Sequence, residues 1–175
     1  EDKLILGKTN YDKDEYDIIL FACRDIKNLT IPQFIKKIGP NAFEHSLIES
    51  VFMNSQIIEI DKNAFSECQN LEYVEIPINS ELSIIGERAF FKTSIKSIFI
   101  PLNVNKINNN AFHECEKLEK VYFQLNSNLQ TIGSFAFGSS SINNICIPNS
   151  VTRICEGAFC GCIELEKIEF QSNSK

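Results

Sequence analysis

The sequence predicts an α/β repeat solenoid: a right-handed coil with a parallel β-sheet on one face and short strands or single helical turns on the other. The first observation is an Ala-Phe dipeptide that recurs at steps of 22 or 25 residues. Its copies are Ala42-Phe43, Ala64-Phe65, Ala89-Phe90, Ala111-Phe112, Ala136-Phe137 and Ala158-Phe159. A constant period in this range is typical of solenoids, in which each repeat stacks on its neighbours.

Three spaced apolar residues follow each of the six Ala-Phe copies, and a seventh such triplet, Ile26/Leu29/Ile31, precedes the first copy, so that each triplet predicts one short strand. The last two alternate at period 2 and are mostly β-branched, as in Val51/Met53 and Ile98/Ile100. Equivalent strands are 22 to 24 residues apart, which is too short for a crossover helix with its loops. We therefore expect seven parallel strands in one sheet about 30 Å wide, at ~4.8 Å per step.

The rest of each coil holds an aliphatic pair spaced by three, such as Ile57/Ile60, and then the Ala-Phe segment. We interpret the Ala-Phe segment as one helical or 3₁₀ turn. Gly39, Gly86 and Gly133 come just after the second aliphatic residue of their coils. A tight bend at that point predicts positive φ for these glycines.

The repeats resemble the BspA-type leucine-rich repeat. The segment from Ile147 to Phe170 reads Ile-Pro-x-x-Val-x-x-Ile-x-x-x-Ala-Phe-x-x-Cys-x-x-Leu-x-x-Ile-x-Phe. The resemblance extends from about Asp25 to Phe170 and implies an open, leucine-rich-repeat-like solenoid. It also implies a surface-antigen-like protein, because many similar proteins are surface proteins of oral or gut bacteria and protozoan parasites, and some are adhesins.

The repeat pattern divides the chain into two segments. Residues 1–25 depart from the repeat, and we interpret them as an amino-terminal cap. Residues 26–175 hold about six and a half repeats of 22–25 residues, alternately short and long, with the last one truncated. The half-finished last coil predicts that Leu165, Ile168 and Phe170 are uncovered, which leaves self-association through the carboxyl end open.

Composition and motifs indicate a binding protein rather than an enzyme. The formal net charge is −6 and no Lys/Arg patch is evident, which argues against a nucleic-acid partner. No apolar run approaches the ~18 residues needed to span a membrane. The spacing of Asp12, Asp14 and Asp17 is like that of a cation loop, but the glycine and closing glutamate of an EF-hand are missing. We expect no catalytic residues, no cofactor and no metal, since no catalytic motif is present.

The cysteines form a second periodic pattern. Cys68, Cys115 and Cys162 are 47 residues apart, so they lie on coils two steps, or about 10 Å, apart. Disulfides need Cα atoms within about 7 Å, so these three are predicted to be reduced and buried. A zinc site or a disulfide among Cys155, Cys160 and Cys162 remains a minor alternative.

Two histidines and one asparagine are further candidate residues. His45 and His113 are expected at the surface, because neither completes a catalytic arrangement. Asn28 begins the only N-x-[ST] sequon of the chain. Chance occurrence and a glycan on Asn28 both remain open.

The outward face of the predicted sheet is the candidate binding surface. Strand alternation points large aromatic side chains outward on four successive coils, with charged residues at their edge. The candidate ligand-binding residues are Phe52, Tyr73, Glu75, Phe99, Lys120 and Tyr122. A contiguous exposed aromatic patch usually marks a partner site, although cross-strand packing that stiffens the sheet explains it equally well.

The predicted function is a non-enzymatic leucine-rich-repeat binding module. Together with the resemblance, it indicates a cell-surface adhesin or a host- or matrix-protein-interaction domain that binds a protein or glycan through its sheet face. An intracellular scaffold or structural spacer is the alternative, since unpaired cysteines favour a reducing compartment. The resemblance favours a cell-surface or secreted protein, and a cytoplasmic location stays open.

Overall fold

A computed structural model describes residues 3–10, 12 and 14–171. These residues form fifteen β-strands and no α-helix. The strands are β1 (Leu4–Gly7), β2 (Ile18–Ala22), β3 (Asn28–Thr30), β4 (Lys37–Ile38), β5 (Ser50–Phe52), β6 (Glu59–Ile60), β7 (Tyr73–Glu75), β8 (Ile84–Ile85), β9 (Ser97–Ile100), β10 (Lys106–Ile107), β11 (Lys120–Phe123), β12 (Thr131–Ile132), β13 (Asn144–Ile147), β14 (Arg153–Ile154) and β15 (Lys167–Phe170). The predicted solenoid is confirmed, since each coil contributes two short strands.

One side of the solenoid is a continuous eight-stranded sheet. Its order is β1-β2-β4-β6-β8-β10-β12-β14, with β1 antiparallel to β2 and all later neighbours parallel. The second residue of each aliphatic pair lies in this sheet, so that Ile60 pairs with both Ile38 and Ile85. Short strands on this side are therefore confirmed.

The predicted seven strands lie on the other side, but the expectation of one sheet is wrong. They form three parallel sheets, β3-β5-β7, β9-β11 and β13-β15. Paired strands start 22 or 23 residues apart, as Asn28, Ser50 and Tyr73 do. The interruptions fall at the steps from Tyr73 to Ser97 and from Lys120 to Asn144, where the spacing is 24. The strand ladder breaks where the loop after the strand is longest.

The α/β assignment with helical turns at Ala-Phe is also wrong. The amide of Phe43 donates to the carbonyl of Ala64 on the next coil at 2.8 Å, and that of His45 donates to Ser66 at 3.0 Å. The intervening amide of Glu44 donates three residues back, to Asn41 at 3.1 Å. Asn41 and His45 both have φ of 57°. Alternate amides thus bond to the neighbouring coil, and the left-handed residues exclude a helix.

Positive φ does not occur at the glycines where it was predicted, but at other positions of the coils. Gly39, Gly86 and Gly133 do not have positive φ, whereas Gly157 and Gly161 do, at 64° and 75°. At Gly86 a Cβ would lie 2.5 Å from the backbone of Asp61 on the preceding coil. Glycine is needed there because two backbones approach closely, and not because of its φ.

Phenylalanine rings form the centre of the core. The ring of Phe112 stacks between those of Phe90 and Phe137, with both centroid distances 5.3 Å and planes within 4°. The stack begins with Phe43 on Phe65 at 4.8 Å and ends with Phe137 on Phe159 at 5.6 Å. Offset-stacked rings at these distances add stabilisation beyond area burial. The Ala-Phe repeat therefore holds consecutive coils together.

The amino-terminal segment packs on the first coil through β1 and β2. Ile18 and Ile19 of β2 pair in register with Lys37 and Ile38 of β4. The buried carboxylate of Asp17 accepts hydrogen bonds from the amide and hydroxyl of Thr9, at 2.7 and 2.5 Å. That residues 1–25 act as a separate cap stays a prediction. The half-finished last coil falls partly on residues 172–175, which lie outside the described residues.

Candidate binding face

The outward side chains of β5, β7, β9 and β11 form the aromatic patch, defined as Phe52, Tyr73, Phe99 and Tyr122. Tyr73 and Tyr122 are 50% and 52% exposed, Phe52 is 37% exposed, and Phe99 is half-buried. The apolar residues between them on the strands, such as Val51 and Val74, are buried. The aromatic rings are therefore presented to solvent by the alternation of side chains along each strand.

Phe52 and Tyr73 are in direct contact. Their ring centroids are 5.7 Å apart with planes tilted by 54°. Ser50 pairs with Tyr73 and Phe52 pairs with Glu75, so the two rings occupy diagonal positions. The hydroxyl of Tyr73 donates to Glu75 Oε2 at 3.0 Å, and this hydrogen bond raises the pKa of Tyr73. Half of the patch is thus ordered by contacts within the face.

Phe99 and Tyr122 form the other half. They occupy facing positions of β9 and β11, and Lys120 faces Ser97 one pleat earlier. Because β7 and β9 belong to different sheets, the structure separates the patch into a Phe52–Tyr73 pair and a Phe99–Tyr122 pair. Their use by a partner stays a prediction.

Three aliphatic residues that were not predicted as part of the face, the aliphatic row of Ile78, Leu102 and Leu125, lie in the loops that follow β7, β9 and β11. Ile78 lies three residues after the end of β7, and Leu102 and Leu125 lie two residues after the ends of β9 and β11. Ile78 and Leu125 are both 69% exposed, and Leu102 is half-buried. The signal was present, since Ile78 and Leu125 are 47 residues apart in the two longer loops. The apolar surface is therefore wider than the strands alone.

A polar groove of about 430 Å³ lies beside this face, at the start of β5 and β7. It is lined by Glu49, Gln69, Asn70, Glu72 and Lys117. The carboxylate of Glu72 also accepts a hydrogen bond from Lys96 Nζ at 2.7 Å. That hydrogen bond, together with the charges of Lys96 and Lys117, lowers the pKa of Glu72. Charges at this edge are thus compensated within the molecule.

The cysteines are all unpaired in the described residues. Burial of Cys68 and Cys115 is confirmed, and desolvation raises their pKa to about 12 and about 11. Their sulfurs donate to the carbonyls of Phe43 and Phe90 at 2.9 and 3.0 Å. Cys162, which was also predicted to be buried, is half-buried instead.

The remaining candidate residues are not brought together. His45 is exposed, but His113 is half-buried and not a simple surface residue, since its ring lies 5.8 Å from Phe91. Asp17 points inward, whereas Asp14 is exposed and pairs with Lys8 at 3.6 Å.

Asn28 lies on the sheet face. Its side chain is exposed, and Asn28 Oδ1 accepts a hydrogen bond from Ser50 Oγ at 2.6 Å. Glycosylation of Asn28 stays a hypothesis. No helix in the described part of the chain is long and apolar enough to cross a membrane.

The chain matches the model of a known repeat family. The BspA type leucine rich repeat region, in six copies, matches residues 19–119 and 83–175. These two ranges together cover most of the sequence. The chain belongs to the BspA-type leucine-rich repeat family.

Similar solved structures share the fold. A leucine rich cell surface protein from Faecalibacterium prausnitzii A2-165 is 25% identical, with a TM-score of 0.65 over 98% of this chain and 53% of its own. The leucine rich repeat protein of T. pallidum is 25% identical, with a TM-score of 0.61 over 94% of this chain and 67% of its own. The pneumococcal vaccine antigen PcpA, 21% identical, matches in fold with a TM-score of 0.72 over 89% of this chain and 43% of its own.

The chain therefore spans about half the length of the F. prausnitzii protein and less of the pneumococcal antigen. A search of curated protein sequences found no match.

Proposed function

We propose that this chain is a non-enzymatic binding module, displayed on a cell surface or secreted, that engages a protein partner through its sheet face. The observation that carries the proposal is the aromatic patch together with the aliphatic row. Large apolar side chains that are exposed or half-buried over four successive coils, and edged by polar residues, are typical of interaction surfaces. Family membership and the cell-surface description of the F. prausnitzii protein support display outside the cell.

An adhesin or host- or matrix-interaction role is the finer form of this proposal. A glycan partner is the competing ligand class, since the groove beside β5 and β7 is rich in amide and carboxylate groups. The seven unpaired cysteines favour the second candidate, an intracellular scaffold or structural spacer.

A triple variant, Phe52→Ser, Phe99→Ser and Tyr122→Ser, tests the proposal. Binding of the purified chain to immobilised extracellular-matrix proteins and to cultured epithelial cells is compared with that of the wild type. Loss of binding with thermal stability nearly unchanged supports the proposal, because exposed positions contribute little to folding. The matched control is Ile58→Ser with Ile84→Ser, which removes apolar surface on the opposite sheet, where these residues are 40% and 36% exposed.

A loss of stability with binding retained would identify the three aromatic side chains as packing residues. If the triple variant loses several kcal/mol of stability and still binds, the aromatic side chains stiffen the sheet instead of contacting a partner. The binding surface then lies elsewhere.

A further inference from the structure

The charged residues of the sheet face differ in whether they are compensated. Four charged side chains point outward from the strands: Glu75, Lys120, Lys167 and Glu169. Glu75 accepts the Tyr73 hydroxyl, and Lys167 pairs with Glu169 at 2.7 Å. Lys120 has no ion pair among residues 3–10, 12 and 14–171, and its register partner Ser97 is neutral. Among the described residues, Lys120 is therefore the charged side chain of these strands that has neither an ion pair nor a side-chain hydrogen bond, whereas Glu75 is held by the Tyr73 hydroxyl.

Lys120 lies beside the Phe99–Tyr122 pair on the sheet face. It is two residues from Tyr122 on β11, so both side chains leave the same side of the strand about 7 Å apart. Leu125 follows in the loop of the same coil, and Phe99 faces Tyr122 on the neighbouring strand. A partner that covers Tyr122 and continues along β11 toward its first residue therefore brings its own groups next to the ammonium of Lys120.

We propose that this face recognises an extended acidic peptide segment, with a carboxylate on Lys120 and large apolar side chains over the Phe99–Tyr122 pair and the aliphatic row. We expect a carboxylate because burial of the Lys120 ammonium against an apolar partner costs free energy. An opposite charge on the partner offsets this cost. We expect an extended chain because its alternate side chains are about 7 Å apart, which matches the spacing of Lys120 and Tyr122 along β11. This proposal rests on the sheet-face function proposed above.

The test uses a displayed library of random 12-residue peptides selected on the immobilised wild-type chain. Recovered sequences are expected to be rich in Asp or Glu beside aromatic or aliphatic residues. Affinities of synthetic copies are then measured by fluorescence anisotropy. Lys120→Glu is expected to weaken binding roughly tenfold, and a new selection on that variant is expected to recover Lys- or Arg-containing peptides. Lys106→Glu is the matched control, because Lys106 is also exposed and has no ion pair in the described residues, but lies on the opposite sheet.

Each other outcome overturns the proposal in a recognisable way. The acidic-peptide proposal is overturned if the recovered peptides have no acidic bias, or if Lys120→Glu and Lys106→Glu have equal effects. The proposed function remains intact in either case if Phe99→Ser with Tyr122→Ser still abolishes binding. Binding that survives this double variant lies elsewhere and overturns both. If the selection recovers no peptide at all, a peptide occupant is excluded. A dimer that dissociates in the double variant, measured by sedimentation, identifies a second copy as the occupant.

Discussion

The hydroxyl of Thr93 lies 3.3 Å from the sulfur of Cys115 inside the solenoid. The same contact recurs two coils later, between Ser140 and Cys162, also at 3.3 Å. Hydroxyl and thiol therefore alternate along the chain because they face each other on adjacent coils. The alternation of hydroxyl and thiol along the sequence thus brings the two groups into contact at these two pairs.

Thiol labelling should rank the cysteines by burial. At pH 8 we expect iodoacetamide to modify the exposed Cys146 and Cys160 quickly, and Cys68 and Cys115 only after unfolding. The thiolate is the reactive form, and pKa values of about 12 and about 11 leave almost none of it at that pH. Half-buried Cys162 should react at an intermediate rate. Fast native labelling of Cys115, followed by mass spectrometry, would contradict the burial described here.

The phenylalanine stack should dominate stability. We expect Phe112→Ala to lower the free energy of unfolding by about 3–5 kcal/mol, because the side chain is fully buried and stacked on both sides. Urea denaturation followed by circular dichroism measures the change. Phe34→Ala, at a position 54% exposed, is the control and should change stability by less than about 0.5 kcal/mol. Equal effects of the two substitutions would exclude the stack as the main source of cohesion.

The Thr9–Asp17 contact should make stability depend on pH. Burial alone would raise the pKa of Asp17, but the Thr9 hydroxyl and amide and the nearby Lys36 lower it below 3.8. The carboxylate therefore contributes stability above that pH, and the contribution is lost as pH falls through the lowered pKa. Thr9→Val should cost about 1 kcal/mol at pH 7 and much less at pH 2, measured by urea denaturation at both. A pH-independent cost would mean that the hydroxyl does not act through the charged carboxylate.

Gly157 should resist a side chain because of the space around it, whereas other left-handed positions, such as Arg88 and Lys92, already carry side chains. Gly157 has φ of 64°, and a Cβ there would lie 2.6 Å from the ring of Phe135. Gly157→Ala should therefore destabilise the chain by more than about 1 kcal/mol, measured as a fall in melting temperature. Ser139→Gly, at φ of 55°, is the control and should be nearly neutral. A stable Gly157→Ala variant would show that the turn can shift.

Much of the fold follows from local pattern. The period of Ala-Phe, the inward columns of isoleucine and valine, and the parallel strands were predictable, because burial of each side chain depends on its place within its own repeat. The buried Cys68 and Cys115 were predictable for the same reason. The outward direction of Tyr73 and Tyr122 followed from strand alternation.

Tertiary structure alone decided how the coils join. The seven strands separate into three sheets, and the amide of Phe43 bonds to Ala64 rather than within a helix, because those partners lie 21 or more residues away in the sequence. The exposure of Ile78 and the free charge of Lys120 likewise depend on which neighbours the stacking brings near. A repeat sequence determines what each coil buries, whereas the offset between coils determines which backbone and surface groups meet.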